Sequence, residues 1–391
     1  MTPPARSPDN RGPDEAPDVV VAAVSARALA AAACRAGRRP AAIDLFADDD
    51  TRQLASPCLR LPSHGLRLDG GALLEALDRP ELRGLPLVYG AGLEDDPRCL
   101  ERIAGTRPVL GNGAAQVAWV KDPFAFADTL DRLGIPHPEV ARALPGRPER
   151  YLLKRIGGSG GGHVAVVPTV TRPGAEASRG WYFQRRVGGH AVSVLALGDG
   201  RRAVIVGFSR QWAAPTPEQP FRYGGAAGPM RATRQLGGLL SDMTVRLCAA
   251  FGLVGLVSAD FLVAGEAVHL LEVNPRPGAT LDVFDRAPLP PLFGLHVDAC
   301  AGRLPDSLPT PWRCRAVLVH YAARPVGVGR CFPWPAWTAD RPAGPARIDA
   351  GAPVCTVQAD GASVGSARRQ AEQRQRRLAA DLESQAMEIQ A

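Results

Sequence analysis

The sequence predicts a mixed protein in which an α/β unit is followed by an α+β unit. Up to about Val109, short apolar strands alternate with helical segments, an order that builds a small doubly wound parallel sheet. From Tyr151 onwards, short extended runs are separated by glycine-rich turns, which is typical of antiparallel hairpins. The length of 391 residues also exceeds one ordinary core, so we expect two or three packed units.

The first unit is predicted to alternate strands and helices. We expect strands over 19–24, 40–46 and 85–89, and helices over 26–35, 73–77 and 97–103. The turn after the first strand, Ala22-Ala23-Val24-Ser25, lacks the Gly-x-Gly-x-x-Gly pattern of dinucleotide-binding folds. No dinucleotide is therefore expected there.

A second unit is predicted to begin near Gly113. Its first helix covers 122–133, with Pro123 near its start and Gly134 after its end. Strands are expected over 151–156, 163–167, 181–187, 191–197, 202–208, 254–263, 267–273 and 316–321, and helices over 233–251 and 367–389. The last helix is polar, with a thin apolar stripe that includes Leu378 and Leu382.

Composition argues against several classes of protein. No apolar run approaches the ~20 residues that cross a bilayer, and the polar first 17 residues lack the apolar stretch of a secretory signal. The eight cysteines are scattered without a Cys-x-x-Cys pair, which argues against zinc and disulfide frameworks. The net charge of +7 is spread without interleaved aromatics. We expect a cytoplasmic protein that binds neither membrane nor nucleic acid.

Lysine is the rarest charged residue, since Lys121 and Lys154 are the only lysines among 46 basic residues. Where arginine fills ordinary basic positions, a retained lysine indicates a site that needs a compact ammonium on a flexible stem. Phosphate oxygens are one such requirement. Retention by chance is the alternative that stays open.

A run of five glycines in six positions follows Lys154 and lies between two predicted strands. Such a loop leaves backbone N–H groups free to wrap polyphosphate oxygens, while the lysine adds a point charge. The loop comprises Gly157, Gly158, Ser159, Gly160, Gly161 and Gly162. It is not a Walker A loop, in which the lysine follows the glycines. A flexible hairpin loop is the alternative.

The spacing of Asp260, Glu272, Asn274 and Arg276 is the second pattern. A three-residue loop at Gly265 would fold the flanking strands into a hairpin and place Asp260 opposite Glu272. Asn274 points the same way as Glu272 because strand side chains alternate, and such oxygens suit Mg²⁺. Arg276 could clamp developing negative charge. A water-facing Asp260 and a surface ion pair for Arg276 are the alternatives.

The extended run over 182–189 is a third and weaker pattern. A short linker of this kind can read the edge of adenine with its backbone groups, while Phe183 or Val187 covers the ring. An ordinary β-strand would have the same sequence pattern.

Taken in order, these residues resemble the ATP-grasp superfamily over residues 19–356. The resemblance implies an ATP-grasp fold with an N-terminal Rossmann-like pre-ATP-grasp domain, and ATP and Mg²⁺ as cofactors. It implies phosphate contacts from Lys121, Lys154 and the glycine loop, adenine contacts from Gln184, Arg185 and Val187, a metal triad of Asp260, Glu272 and Asn274, and catalytic roles for Arg276 and Lys154.

The resemblance also implies a division of the chain. We expect a disordered tail over 1–17, a pre-ATP-grasp α/β domain over 18–112 and a small lobe with the glycine loop over 113–187. A large lobe with the metal site follows over 188–305. The segment 306–391 then completes that lobe and adds a surface helix.

The segments 272–277 and 351–356 look most like the biotin-carboxylase-related group of carboxylate-amine ligases. That group includes the tyramine-glutamate ligase of methanofuran synthesis, and related genes belong to tetrahydromethanopterin-linked one-carbon metabolism. The sequence departs from the pattern at Gln184, where the hinge often begins with Glu, and at Ala191, where an acidic residue is common. His190 or Ser193 could substitute in holding ribose, although a structural or substrate-side role is the favoured alternative for His190.

We therefore expect an ADP-forming carboxylate-amine ligase that acts on a small-molecule carboxylic acid and an amine, with a homodimer as a further expectation. A biotin-dependent carboxylase is one alternative. It would need a separate carrier protein, because the chain has no Met-Lys biotinylation site. A non-catalytic ATP-binding regulatory protein is another, against which the complete metal and arginine set argues. Candidate residues for substrate choice are Arg210, Gln211, Trp212, Arg222 and Tyr223.

Overall fold

The computed structural model describes residues 16–62 and 66–390, with side chains up to residue 384. The tail expected over 1–17 lies outside these ranges except for Ala16 and Pro17. The first unit consists of β1 (Val19–Ala22), α1 (Arg27–Arg35), β2 (Pro40–Asp44), α2 (Asp49–Leu54), β3 (Cys58–Arg60), α3 (Gly70–Leu77), β4 (Leu87–Tyr89) and α4 (Pro97–Ala104).

The first sheet is parallel throughout. Its four strands lie in the order β3-β2-β1-β4, and Val109 adds a parallel bridge beside Leu87. The predicted doubly wound parallel sheet is confirmed. The sequence did not predict α2 and β3, which lie between the strand expected over 40–46 and the helix expected over 73–77. Asp48 precedes the first turn of α2.

Helices α5 (Ala114–Lys121) and α6 (Pro123–Leu133) begin the next part of the chain. The side chain of Asp122 accepts hydrogen bonds from the backbone N–H groups of Phe124 and Ala125, and Gly134 ends α6 with a left-handed φ of 60°. Proline at the first position and glycine after the last are the usual signals of a helix. The prediction for this helix is confirmed.

A small antiparallel sheet carries the glycine loop. It is built from β5 (Val140–Ala141), β6 (Tyr151–Arg155), β7 (Val164–Val166) and β8 (Trp181–Arg185), in the order β5-β8-β6-β7. Its own small core contains Leu144, Tyr151, Val167 and Phe183. The glycine loop connects β6 to β7 and therefore lies at one end of this sheet.

An eight-stranded antiparallel sheet forms the centre of the rest of the chain, in the order β13-β12-β9-β10-β11-β14-β18-β16. The remaining elements are β9 (His190–Asp199), β10 (Ala203–Ala213), β11 (Tyr223–Gly228), α7 (Arg234–Phe251), β12 (Val254–Ala264), β13 (Ala267–Asn274), α8 (Leu281–Phe284), α9 (Leu292–Cys300), β14 (Cys314–Tyr321), β15 (Val326–Val328), β16 (Thr338–Ala339), β17 (Ala346–Ile348), β18 (Pro353–Gly361) and α10 (Val364–Gln390). Strands β15 and β17 pair separately. The positions of the predicted domain boundaries stay predictions.

Both faces of the large sheet are covered. On one face, Val194 and Phe261 pack with residues of α5, α6 and α7. On the other face, Leu197 and Leu256 pack with residues of α1 and α9. Because α1 belongs to the first unit, the edge of the parallel sheet is brought next to the large sheet, and loops of the first unit can reach residues of β12 and β13.

Helix α10 covers the strands contributed by the C-terminal segment. Ala367, Ala371, Leu378 and Leu382 are buried against residues of β14 and β18, which confirms the thin apolar stripe expected on a polar helix. No helix in the described ranges is long and apolar enough to cross a membrane.

Asp48 gives a prediction about stability. Its side chain is buried and makes no hydrogen bond within the described chain. Burial, followed by the charges of Asp340, Asp44 and Asp50, raises its pKa to about 8. The folded chain then keeps a proton that the unfolded chain releases near pH 4, so this group lowers the free energy of unfolding as pH rises from 4 to 8.

Asp48→Asn should therefore raise the melting temperature at pH 8 by several degrees relative to its effect at pH 5. Calorimetric melts at both pH values check this. Asp49→Asn, on the half-buried neighbour, is the matched control. Equal changes at the two pH values would show that Asp48 is ionised in the folded chain at both.

Candidate active site

The hairpin β12–β13 pairs Asp260 with Glu272, as the sequence predicted. The predicted three-residue loop is wrong, because Ala264 pairs with Ala267 and only two residues turn the chain. The register shifts by one residue between Asp260 and Phe261, which leaves Leu271 as the extra residue of a β-bulge. The bulge restores the carboxylate pairing that the shorter turn would otherwise displace.

The two carboxylates of this pair have opposite pKa shifts. Burial and the charge of Glu272 raise the pKa of Asp260 to about 6. Burial also opposes ionisation of Glu272, but the charges of Lys121 and Lys154 outweigh it and hold the pKa of Glu272 below its usual value. The pair therefore carries charge that an additional cation would stabilise.

Asn274 completes the group at the end of β13. Its Nδ2 donates to Oδ2 of Asp260 (3.0 Å), while its Oδ1 accepts from Nζ of Lys121 (3.0 Å) and from Nη2 of Arg276 (3.3 Å). Gln211 adds a donor to Oδ1 of Asp260 at 3.3 Å. All five side chains are thus joined in one hydrogen-bonded network.

The carboxylate pair of Asp260 and Glu272, together with Asn274, partly fits a divalent metal ion. Two adjacent carboxylates, one with a raised pKa, are suitable hard-oxygen ligands. The oxygen of Asn274 accepts from two cations here, so one of its two lone pairs becomes available to a metal ion only when one of these donors, such as Lys121, turns to another acceptor. In the described ranges, no three His, Cys, Asp or Glu side chains are grouped to hold a metal ion, so a third protein ligand beside this carboxylate pair would be an amide oxygen such as that of Asn274.

Arg276 is held by a residue that the sequence did not identify. Nε of Arg276 donates to Oε1 of Glu94 at 2.7 Å, and both side chains are buried. Burial opposes ionisation of Glu94, but Arg276 and Lys121 lower its pKa to about 2. The two residues are 182 positions apart, and no local pattern in the sequence connects them.

The ammonium group of Lys154 lies inside the protein and not in a solvent-filled cleft. Its side chain is buried, and Nζ donates to Oε1 of Gln184 at 3.0 Å across strands β6 and β8. Burial lowers the pKa of Lys154, an effect that the charge of Glu272 partly opposes. Gln184 therefore has a role as the hydrogen-bond partner of this ammonium, a role that a Glu at the start of the hinge would fill with a full charge.

The glycine loop is packed against two other segments. A Cβ on Gly157 would lie 2.8 Å from Cα of Asp95, and a Cβ on Gly161 would collide with the carbonyl of Phe221. The backbone N–H of Tyr223 donates to the carbonyl of Gly160 at 2.9 Å. Since Gly157 and Gly161 also have positive φ, these glycines allow a close docking that other residues would prevent.

A pocket opens between the glycine loop, β8 and β13. It is lined by Lys121, Arg155, Gly157, Gly158, His163, Gln184 and Glu272, and on its apolar side by Val120, Phe126, Tyr182, Leu270 and Leu271. The sequence missed His163, whose pKa burial lowers to about 4, so its imidazole is neutral at pH 7. A histidine directly after the glycines was the available signal.

The other predicted residues lie around this pocket and not on its wall. Ser159, Gly160, Gly161 and Gly162 continue the glycine loop away from it, and Lys154, Asp260, Asn274 and Arg276 lie beside or beneath it. Arg185 is exposed, with its backbone N–H donated to the carbonyl of Glu139, and Val187 is half-buried in the turn that follows.

Of the residues suggested for ribose and for substrate choice, some lie near the candidate metal site and others lie away from it. His190 is exposed at the far end of β9, opposite Val263, whereas Ser193 is buried opposite Asp260. Arg222 lies over the ring of Tyr321 and donates to the carbonyl of Gly351. Of these, Ser193 lies closest in register to the candidate metal site.

Comparison with known proteins identifies the fold. Residues 120–280 match the model of the ATP-grasp domain. The carbamoyl phosphate synthase large chain of Rubrobacter xylanophilus is 27% identical over 275 residues, which cover 61% of this chain but only 24% of that protein. The chain therefore spans about a quarter of that relative.

Solved structures extend the similarity to most of the chain. The biotin carboxylase domain dimer of Hydrogenobacter thermophilus 2-oxoglutarate carboxylase, in complex with MgADP, ADP and bicarbonate, has a TM-score of 0.65 at 12% identity, with 88% of this chain and 86% of that chain covered. N5-carboxyaminoimidazole ribonucleotide synthetase from Thermus thermophilus has a TM-score of 0.64 at 17% identity, with 90% and 96% covered. Residues 120–280 therefore match the ATP-grasp domain, and most of the chain shares the fold of these solved structures.

Proposed function

We propose that the chain is an ADP-forming carboxylate-amine ligase that uses Mg-ATP. The observation that carries the proposal is the convergence of both lysines of the chain on the carboxylate pair of Asp260 and Glu272. Two ammonium groups beside two carboxylates, next to a glycine-loop pocket, suit a polyphosphate with its metal ion. The complexes with ADP and magnesium seen for a protein of the same fold support this choice.

The lining of the pocket suits each part of the nucleotide. The apolar wall that includes Phe126 and Leu271 suits adenine, and Gly157 and Gly158 suit the phosphates. Asp260, Glu272 and Asn274 would hold Mg²⁺, which would neutralise phosphate charge. Nucleotide phosphates would then replace Asn274 as the acceptor for Lys121, leaving the amide oxygen free for the metal ion.

The proposed reaction has two steps. A carboxylate oxygen of the acid attacks the γ-phosphorus of ATP, the bond to the β-γ bridging oxygen breaks, and ADP leaves. The amine nitrogen then attacks the acyl carbon, phosphate leaves with the carbon–oxygen bond pair, and the nitrogen loses a proton. Arg276 would hold the charged oxygens, and the docked glycine loop would exclude water from the acyl phosphate.

The acyl phosphate can be trapped directly. With the acid present and the amine replaced by hydroxylamine, ATP should give ADP, phosphate and a hydroxamate in equal amounts. One oxygen-18 atom from a labelled carboxylate should appear in the phosphate. Mixtures without acid are the control. AMP and pyrophosphate as products would mean attack at the α-phosphate and would overturn the mechanism.

The substrates are a narrower part of the proposal. The segments 272–277 and 351–356 support a ligase similar to tyramine-glutamate ligase, in the biosynthesis of a one-carbon cofactor such as methanofuran or tetrahydromethanopterin. Glutamate with tyramine is therefore the first pair to assay for ADP release, followed by other amino acids and aromatic amines. Size-exclusion chromatography with light scattering tests the proposed homodimer.

A carboxylase is the second candidate, because a structure with the same fold is a complex that contains bicarbonate as well as MgADP. Such an enzyme would release ADP with bicarbonate as the only acid and would need a biotin carrier or free biotin as acceptor. ADP release that depends on bicarbonate and biotin, and not on an amine, would favour this candidate over the amide ligase.

A further inference from the structure

Glu94 is a buried acid in a loop that has no assigned part in the site. It follows β4 in the first unit, outside the matched ATP-grasp domain, and is 2% exposed. Its Oε2 accepts from the backbone N–H of Gly92 at 2.7 Å, and its Oε1 accepts from Nε of Arg276 at 2.7 Å. Since each oxygen has its own donor, the carboxylate has one defined orientation.

Arg276 is consequently fixed from two sides. Glu94 holds Nε, and Oδ1 of Asn274 accepts from Nη2 at 3.3 Å. The guanidinium is planar, so two such contacts define its plane and the direction of its remaining nitrogen. In the described part of the chain no hydrogen bond uses Nη1, which leaves this nitrogen available to an external oxygen.

Gly278 provides the space beside Nη1. A Cβ at this position would lie 2.5 Å from Nη1, well inside van der Waals contact. The φ of Gly278 is not in the left-handed region, so its lack of a side chain is required by space and not by backbone conformation. The guanidinium cannot move aside easily, because Glu94 and Asn274 hold it.

We propose that Glu94 is a positioning residue that orients Arg276, so that Nη1 points at the oxyanion of the reacting phosphate, with Gly278 leaving room for that oxyanion. This inference rests on the proposed function, because it places a phosphoryl oxygen at Arg276. The first unit thereby contributes to the ATP-grasp site through one ion pair.

Changing only one partner of a buried ion pair of this kind is expected to lower the free energy of unfolding. Glu94→Ala would leave the cation of Arg276 buried without its partner and would damage folding. Glu94→Gln keeps the shape and the fold but removes the charge and replaces one acceptor oxygen with an NH2 group. Nε of Arg276 and the N–H of Gly92 then compete for the remaining oxygen, so the guanidinium loses its fixed orientation. Gly278→Ala leaves the pair intact and blocks the space beside Nη1.

The experiment uses the full chain and two probes, MgADP and inorganic phosphate, with binding measured by calorimetry. Glu94→Gln and Gly278→Ala should both bind MgADP as the wild type does, but should bind phosphate to the MgADP complex about tenfold or more weakly. In turnover, both should lower kcat by about 100-fold with little change in KM for ATP. Glu81→Gln, which alters an exposed ion pair with Arg79, is the matched control and should change neither.

A double-mutant cycle separates positioning from a general structural role. In an Arg276→Ala background, Glu94→Gln should cause no further loss of phosphate binding, because the group that it orients is gone. Equal losses in both backgrounds, or normal phosphate binding by Glu94→Gln, would overturn the inference. If the wild type binds MgADP and phosphate but never releases ADP with any acid, only the proposed reaction fails. If the wild type does not bind MgADP, the proposed function fails and this inference fails with it.

Discussion

Lys154→Met is expected to reduce acid-dependent ADP release by about 10³-fold, as expected when one preorganised charge is removed from a transition state. The ammonium is buried between β6 and β8, bonded to Gln184 and near Glu272. Methionine has a similar length and no charge, so it removes the cation that would meet the nucleotide phosphates and leaves the packing of both strands. ATP affinity, measured by calorimetry, should also fall.

The stability of the same variant gives a second result. Burial lowers the pKa of Lys154, which means that the fold opposes the charged form. An apolar side chain at this position should therefore keep or slightly raise the melting temperature. Lys154→Arg should lose activity too, because the planar guanidinium cannot occupy the space of an ammonium.

The control for Lys154→Met is Arg38→Met, which removes a cation from a partly exposed ion pair with Asp18 and should leave turnover unchanged. Wild-type turnover in Lys154→Met would remove this lysine from the site. A large fall in melting temperature without a change in ATP affinity would give Lys154 a structural role only.

Glu272→Gln is expected to reduce activity by about 10²-fold or more and to raise the Mg²⁺ concentration needed for half-maximal activity. The change removes one negative charge from the carboxylate pair with little change of shape. It also removes the charge that helps to raise the pKa of Asp260, so Asp260 should ionise at lower pH in the variant. Activity measured against Mg²⁺ concentration at fixed ATP checks both the size and the cause of the loss.

The effect of Glu272→Gln on stability should be small, because two contributions oppose each other. Glu272 has a lowered pKa, so its ionised form stabilises the fold above about pH 4, and this contribution is lost in the variant. The relief of repulsion on Asp260 offsets part of that loss. Glu266→Gln, at the exposed turn of the same hairpin, is the control. A sharp fall in melting temperature with an unchanged Mg²⁺ requirement would make Glu272 structural.

Local signals made several elements predictable from the sequence. Helix α7 begins after Thr233, which caps it, and ends at Gly252 with a positive φ, and both residues are standard markers. Strand β11 was missed because its sequence, Tyr-Gly-Gly-Ala-Ala-Gly, has almost no β-forming residues. Its conformation depends on its neighbours β10 and β14, which no local pattern reveals.

The candidate site was predictable where residues are close along the chain. Asp260, Glu272, Asn274 and Arg276 share one hairpin, so spacing and alternation placed them together. The partnership of Arg276 with Glu94 depends on how the first unit packs on the large sheet, and the burial of Lys154 depends on the contact between two strands. Such tertiary contacts have no signature in a single sequence.

The bulge at Leu271 affects which changes of length the hairpin tolerates. Deleting Leu271 would leave Asp260 opposite Glu272 in a regular ladder, since the residue is the extra one. The deletion would remove one residue, Leu271, from the apolar side of the pocket. In a hairpin of the same length without the bulge, Glu272 would instead face Ala259 and turn towards the hydrophobic core. Insertions and deletions in this hairpin therefore keep the proposed metal ligands Asp260 and Glu272 opposite each other only when the turn and the bulge change together, or when the bulge alone is lost.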